Sequence, residues 1–352
     1  MMSRQRPKIG FACAYTALTL IDAAGFIPYR LMPMTESADL AGSILHDNLC
    51  PHVKCLLDRA IAGDLPQLAA VVFVNSCDAM RRLSDAWQKA RPKDPVVLID
   101  LPATQDERAV SYLAGELSRL ASTLFRWSGK TISAEAIKES IKRYNVLSSL
   151  LTELRKRCYQ GQLQGGSARL QSLSNLASTA AAEYVIARIQ AALAEPELPK
   201  AETRNVPIFL FGQVLPDPEA FSFLESCGAR LVGDDLCTGS RLLAPIDPEG
   251  AGDLFHKIAF GLLRKPACAR TIDPADPIRI AEDTLKHAVE CDARGAIGYT
   301  LKFCDLYLTR LPTLRDIFRD RNFPLLLLEG DCTLRSIGQQ RTRMEAFIEM
   351  LR

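Results

Sequence analysis

Eleven cysteines are spread through 352 residues, at positions 13, 50, 55, 77, 158, 227, 237, 268, 291, 304 and 332. Thiolates bind soft metals and attack electrophiles, so the setting of each thiol decides its chemistry. Three share a setting. Cys77 ends the apolar run "AAVVFVNSC", Cys304 ends "GAIGYTLKFC", and Cys50 lies in "LHDNLCPHVKCLLDRA", where Pro51 opens an amphipathic run. Each sits where a helix starts, and there the exposed N–H groups and the helix dipole are expected to lower a thiol's pKa. Three thiolates carried to one crevice from separate turns suit an iron–sulfur cluster more than a compact zinc finger.

Other readings of these residues are blander. Cys50 and Cys55, with His46 and His52 nearby, offer a local zinc set, but no second close pair follows downstream. Cys55 fits the apolar stripe of a helix, and His46 and His52 read as loop histidines. Cys13 and Cys332 also end strands, and are expected to be buried structural thiols rather than neighbours of a site. Asp78, Arg81 and Arg82 follow Cys77 and either face a ligand or complement a helix dipole. Asp234, Asp235 and Arg241 in "GDDLCTGSR" are a polar lining or a solvated loop; Glu329 and Asp331 end a strand and are candidates for proton transfer. His256 and His287 read as ordinary helical residues. No G-x-S-x-G elbow, P-loop lysine motif or G-x-G-x-x-G turn is present, so hydrolase, ATPase and dinucleotide readings lack their mechanical parts. A cysteine nucleophile paired with one of the four histidines remains open, without a protease signature to support it.

The elements that must position these residues alternate. "KIGFACAY", "AAVVFVNSC" and "PVVLIDLPA" read as strands separated by helices such as "DAMRRLSDAWQKA", a βαβ rhythm that implies a parallel sheet. From 106 to about 200 long amphipathic helices take over, broken by "YQGQLQGGSA". A Pro- and charge-rich linker at 194–207 precedes a second βαβ series, "VPIFLFGQV", "ARLVGDDL", "GAIGYTLKFC" and "PLLLLEGDC", closed by the helix "SIGQQRTRMEAFIEML". The expectation is an α/β protein: an N-terminal lobe at 1–105, a helical connecting region at 106–200 and a C-terminal lobe at 201–352. Lys+Arg 43 against Asp+Glu 41 leaves a charge of +2 and no basic block, which argues against nucleic acid. No run approaches the ~20 apolar residues of a membrane span and no signal-peptide pattern opens the chain, so a cytoplasmic protein is expected.

"LHDNLCPHVK", "VVFVNSCDAMRRL", "GAIGYTLKFCD", "FPLLLLEGD" and "QQRTRMEAFIEML", in that order, resemble the 2-hydroxyacyl-CoA dehydratase family, which also contains benzoyl-CoA reductase subunits and double-cubane cluster proteins. Where members commonly carry Pro-Glu, this chain has Ala17-Leu18. The resemblance implies two Rossmann-like, flavodoxin-like lobes joined by a helical region, with Cys50, Cys77 and Cys304 as ligands of a cubane or double-cubane iron–sulfur cluster. It further implies pairing with a homologous subunit or a second copy, an ATP-dependent iron–sulfur activator protein that delivers single low-potential electrons, and an acyl-CoA or small-molecule substrate. The expected activity is that of a radical acyl-CoA dehydratase or reductase component. The alternatives are a homodimeric double-cubane reductase in which two subunits' cysteine sets hold one joined cluster, or a noncatalytic partner subunit or zinc-binding protein.

Overall fold

The structure, a computed structural model, describes residues 6–33, 39–199, 205–331 and 338–352. Part of the expected linker, 200–204, lies outside them, as do Cys332 and the first two residues of the expected closing helix.

The first sheet comprises β1 (Lys8–Phe11), β2 (Ile27–Arg30), β3 (Leu68–Asn75) and β4 (Val96–Asp100), all parallel, in the order β2-β1-β3-β4. β3 is apolar on successive residues because helices cover both faces of a parallel sheet, so its alternate side chains are buried on either side. Around it lie α1 (Leu18–Ala23), α2 (Pro51–Ala62) and α3 (Asp78–Ala90). Trp87 of α3 meets Phe73 of β3 edge to face at 5.6 Å, and both are fully buried. Truncating either would cost about 3–5 kcal/mol. That contact fixes α3, and with it the turn at Cys77.

Four helices follow, α4 (Glu107–Ser128), α5 (Ala134–Tyr159), α6 (Gly166–Ala177) and α7 (Ala182–Ala194). Asp106 and Ser133 cap α4 and α5 by accepting the N–H of Ala109 at 2.9 Å and of Ala136 at 3.1 Å.

The second sheet repeats the first. β5 (Val206–Gly212), β6 (Ala229–Asp235), β7 (Gly295–Leu301) and β8 (Leu325–Gly330) are parallel in the order β6-β5-β7-β8. Its helices are α8 (Pro218–Ser226), α9 (Leu254–Leu263), α10 (Arg279–Glu290), α11 (Asp305–Leu308), α12 (Leu311–Asp320) and α13 (Arg341–Met350). The fold is α/β with two Rossmann-like lobes of flavodoxin-like strand order, and each lobe has a switch point where the winding reverses, between β1 and β3 and between β5 and β7.

The halves interlock. Ile258 and Leu262 of α9 join Leu113, Leu117 and Leu120 of α4 in one apolar cluster, so the chain returns to the first half after β6. Ala17 and Leu18 are buried, Leu18 in the cluster that α5 and α7 form. Among the described residues no helix is long and apolar enough to cross a membrane.

Candidate functional site

Both switch points open onto one cavity of about 270 Å³. Cys77 lies two residues beyond β3 and caps α3, its Sγ accepting the Met80 N–H at 3.4 Å. Cys50 is the N-cap of α2, with Pro51 at the first helical position. Cys304 caps α11; Phe303 before it takes a left-handed φ of 55°, which turns the chain off β7. All three line the cavity, and so do Cys13 beyond β1, Cys237 beyond β6 and Cys268 beyond α9. Six thiols from one chain therefore share one wall.

The thiols sense each other and their burial. Burial, and then Cys304 and Cys77, push the Cys50 thiol up to about 12, against the N–H groups of His52 and Val53, which pull it down. Cys304 is pushed up to about 11, by burial and then by Cys77 and Cys237, with the N–H groups of Tyr307 and Leu306 opposing. Cys77 is raised for the same first reason, and Cys268 reaches about 12. The expectation of lowered thiol pKa values is thus corrected: helix-start N–H groups do act on the sulfurs, but desolvation outweighs them. Bare Cys50, Cys268 and Cys304 thiols stay protonated at neutral pH, and a cation in the cavity is what would draw out their thiolates.

Cations also face this space. Arg30 ends β2, is 2% exposed, and donates to the Cys237 carbonyl at 2.6 Å, while its Nε has no partner among the described residues. Lys265 Nζ donates to the carbonyls of Ala14 at 2.8 Å and Leu242 at 3.2 Å, and burial brings its pKa down to about 8. Arg241 pairs with Asp235 at 2.9 Å and donates to Gly212. Gly212 has to be glycine: its φ is 148°, and a Cβ would stand 2.0 Å from the Tyr299 carbonyl oxygen where β5 and β7 meet. Both ring nitrogens of His52 and the Gln213 Nε2 are buried against the cavity without hydrogen-bond partners among the described residues. A buried polar group left so costs about 1–3 kcal/mol, so these side chains are positioned to serve an occupant.

Several sequence expectations change. His52 is not a loop histidine but a buried member of α2, its pKa brought down to about 3 by burial and then by Arg30. His46 is exposed and away from the cavity. Cys13 lines the cavity. Asp235 and Arg241 are buried rather than solvated, whereas Asp234 is taken up by Tyr159 and Ser240. Arg81 and Arg82 are about half exposed and paired with Asp78, so they face solvent rather than the cavity interior. Glu329 is exposed and, like Asp331, absent from the wall. Cys237, Cys268, Lys265 and Arg30 were not singled out by the sequence. Cys237 carried the same strand-end signal as Cys77, whereas Cys268 follows no periodic pattern.

Sulfur donors in a mainly apolar wall fit a soft metal group, not magnesium or calcium, which need oxygen ligands. Among the described residues no three His, Cys, Asp or Glu side chains are grouped as ligands of a single metal ion. A polynuclear cluster needs no such grouping, since each thiolate can meet a different metal atom.

Comparison with known proteins bears on the family of the chain. Lactoyl-CoA dehydratase subunit beta of Anaerotignum propionicum is 23% identical, over 97% of this chain and 91% of that protein. (R)-phenyllactyl-CoA dehydratase beta subunit of Clostridium sporogenes is 21% identical, over 97% and 91%. A benzoyl-CoA reductase subunit of Thauera aromatica is 23% identical, over 91% and 84%. Family and relatives are dehydratase and reductase components of enzymes. A family model described as 2-hydroxyglutaryl-CoA dehydratase, D-component, matches residues 13–351, and the chain belongs to that family.

Proposed function

We propose that this chain is an iron–sulfur subunit of a 2-hydroxyacyl-CoA dehydratase or benzoyl-CoA reductase type of enzyme, with Cys50, Cys77 and Cys304 as the cluster ligands. The observation that supports it most is the arrival of these three thiols, from helix starts in both lobes, at one cavity. When bound, such a cluster supplies low-potential single electrons to a CoA thioester. The chain's own part is to hold it: backbone N–H groups at the three turns orient sulfur, and Arg30 and Lys265, both buried, offset negative charge beside it. Having no P-loop, the subunit takes its electrons from an ATP-dependent iron–sulfur activator protein, and it works in the cytoplasm beside a homologous subunit or a second copy of itself. Relatives named as beta subunits support that pairing.

A specific observation favours a second reading. Cys13, Cys237 and Cys268 line the same cavity, so a double-cubane cluster would draw on thiols of one chain rather than on one set from each of two subunits.

Iron and acid-labile sulfide, measured on protein purified without oxygen, test both. Iron that is lost in Cys50→Ala, Cys77→Ala and Cys304→Ala but kept in Cys237→Ala and Cys268→Ala fits the first reading. Twice that iron per chain, sensitive to both sets, fits the second. Zinc alone, or full iron in the triple alanine variant, would refute the ligand assignment.

A further inference from the structure

No side-chain oxygen in the wall of the thiol cavity is buried without a hydrogen-bond partner among the described residues; the atoms left so are nitrogens, of Arg30, His52, Gln213 and Arg241. Guanidinium and amide nitrogens only donate, and an imidazole of either charge carries at least one N–H. Such a wall suits an occupant rich in acceptors, and the sulfur atoms of a metal–sulfur cluster accept without donating.

Two of these residues come from opposite lobes. His52 stands in the first turn of α2, 4% exposed, two residues after Cys50, whose sulfur its backbone N–H also reaches. Gln213 is 8% exposed and follows Gly212, the last residue of β5. Its carbonyl accepts the Cys237 N–H at 2.8 Å, so the backbone fixes the residue while its Nε2 stays unused. Arg30 and Arg241 have other bonds that explain their places, to the Cys237 carbonyl and to Asp235. The His52 ring and the Gln213 Nε2 have none among the described residues, and burial without a partner destabilises the fold.

We propose that the His52 imidazole and the Gln213 side-chain amide each donate a hydrogen bond to sulfur of the cluster, one from each lobe, and thereby hold its reduction potential up. The proposal rests on the iron–sulfur reading given above and adds two residues that tune the cluster without ligating it. Hydrogen bonds to the sulfurs favour the more negative, reduced state, so removing a donor lowers the potential.

The test is an EPR-monitored redox titration of the full, anaerobically purified protein, with iron and acid-labile sulfide measured on the same samples. It compares the unaltered protein with His52→Leu, Gln213→Met and the double variant, which remove the donors at similar volume. His52→Asn and His52→Gln return an amide N–H near the place of one ring nitrogen or the other. The expected result is unchanged iron in all of them and a midpoint lower by about 59 mV or more in each single variant, tenfold in a one-electron equilibrium constant. The double variant falls further, and one of the two amide variants recovers the potential. In the metal-free chain His52→Leu unfolds at the same urea concentration or a higher one, since an unpaired buried polar group has gone; a structural histidine would give a lower one. Midpoints equal to that of the unaltered protein, at full iron, overturn the proposal and leave the cluster standing. Iron lost in His52→Leu with metal-free stability kept makes the ring a ligand, and iron and stability lost together make it structural; either overturns its donor role. A lower potential in one single variant alone overturns the claim for the other residue. No iron in the unaltered protein refutes the cluster reading itself, and the proposal with it.

Discussion

Asp235 and Arg241 form an ion pair at 2.9 Å with both side chains at least nine-tenths buried, at the carboxyl end of β6 and beside the thiol cavity. Arg241 also reaches Gly212 and stands 3.4 Å from the Cys237 sulfur and from the Tyr307 hydroxyl, so one guanidinium joins β5, β6 and the start of α11. Breaking such a pair by removing one partner leaves a buried charge uncompensated and costs about 3–5 kcal/mol, whereas replacing both with apolar side chains is often neutral. Asp235→Ala should thus lower the free energy of unfolding by that amount in urea titrations, and Asp235→Leu/Arg241→Met should recover most of it. A single variant with an unchanged urea midpoint would mean that the pair does not hold the strand ends.

Cys77 has two separable jobs. As N-cap its sulfur accepts the Met80 N–H at 3.4 Å, and as a cavity thiol it is a proposed ligand. Serine is a better N-cap than cysteine and a poor iron ligand. Cys77→Ser should keep the unfolding midpoint of the metal-free protein and lose iron. Cys77→Ala should lose iron and also about 1 kcal/mol of stability from the missing cap. Equal stability of the two variants in metal-free form would show that the sulfur does not cap α3.

The strands and the turns after them were legible because parallel strands buried on both faces write long apolar runs. "AAVVFVNSC" ends two residues after the observed β3, and the helix read over "DAMRRLSDAWQKA" is α3 itself. What the sequence hid was burial of charge. Arg30 and Lys265 look like surface residues in any window, and only the meeting of the two lobes desolvates them. His52 was hidden likewise, because its neighbours Asn48 and Pro51 signal a loop while its ring points inward from the first turn of α2. Cys268 was illegible for another reason: it lies in irregular chain after α9, and no periodicity marks a loop that is placed by tertiary contact.

Acid stability should depend on Asp22. Buried in α1, its carboxylate is held by Arg6 at 2.6 Å, Arg143 at 2.7 Å and the Ser140 hydroxyl at 2.7 Å. Burial pushes its pKa up, but the bonds from Arg143, Arg6 and Ser140 together outweigh that and bring it below the ordinary 3.8. A carboxyl with a depressed folded pKa stabilises the fold above about 3.8 and gives that stability up as pH falls through the lower folded value. In urea titrations from pH 7 downwards, Asp22→Asn should therefore be less stable than the unaltered protein at neutral pH, with the gap closing below pH ~4. A gap that stayed constant down to pH ~2 would place the effect in packing rather than in charge.

Gly212 closes the second switch point. Its carbonyl accepts the Tyr307 hydroxyl at 2.6 Å as well as Arg241, and its α-carbon faces the Tyr299 carbonyl so closely that a Cβ would stand 2.0 Å away. The clash is with backbone of the neighbouring central strand β7, which no rotamer change relieves, and the φ of 148° adds strain for any L side chain. Gly212→Ala should force β5 and β7 apart at their carboxyl ends and cost about 3 kcal/mol or more, as core overpacking and backbone strain do when they coincide. Because β7 runs on into the turn that carries Cys304, iron retention should fall with stability in this variant although no thiol has been changed. Iron content equal to that of the unaltered protein, alongside a normal urea midpoint, would show that the switch point tolerates a side chain and that the approach of the two strands does not set the position of Cys304.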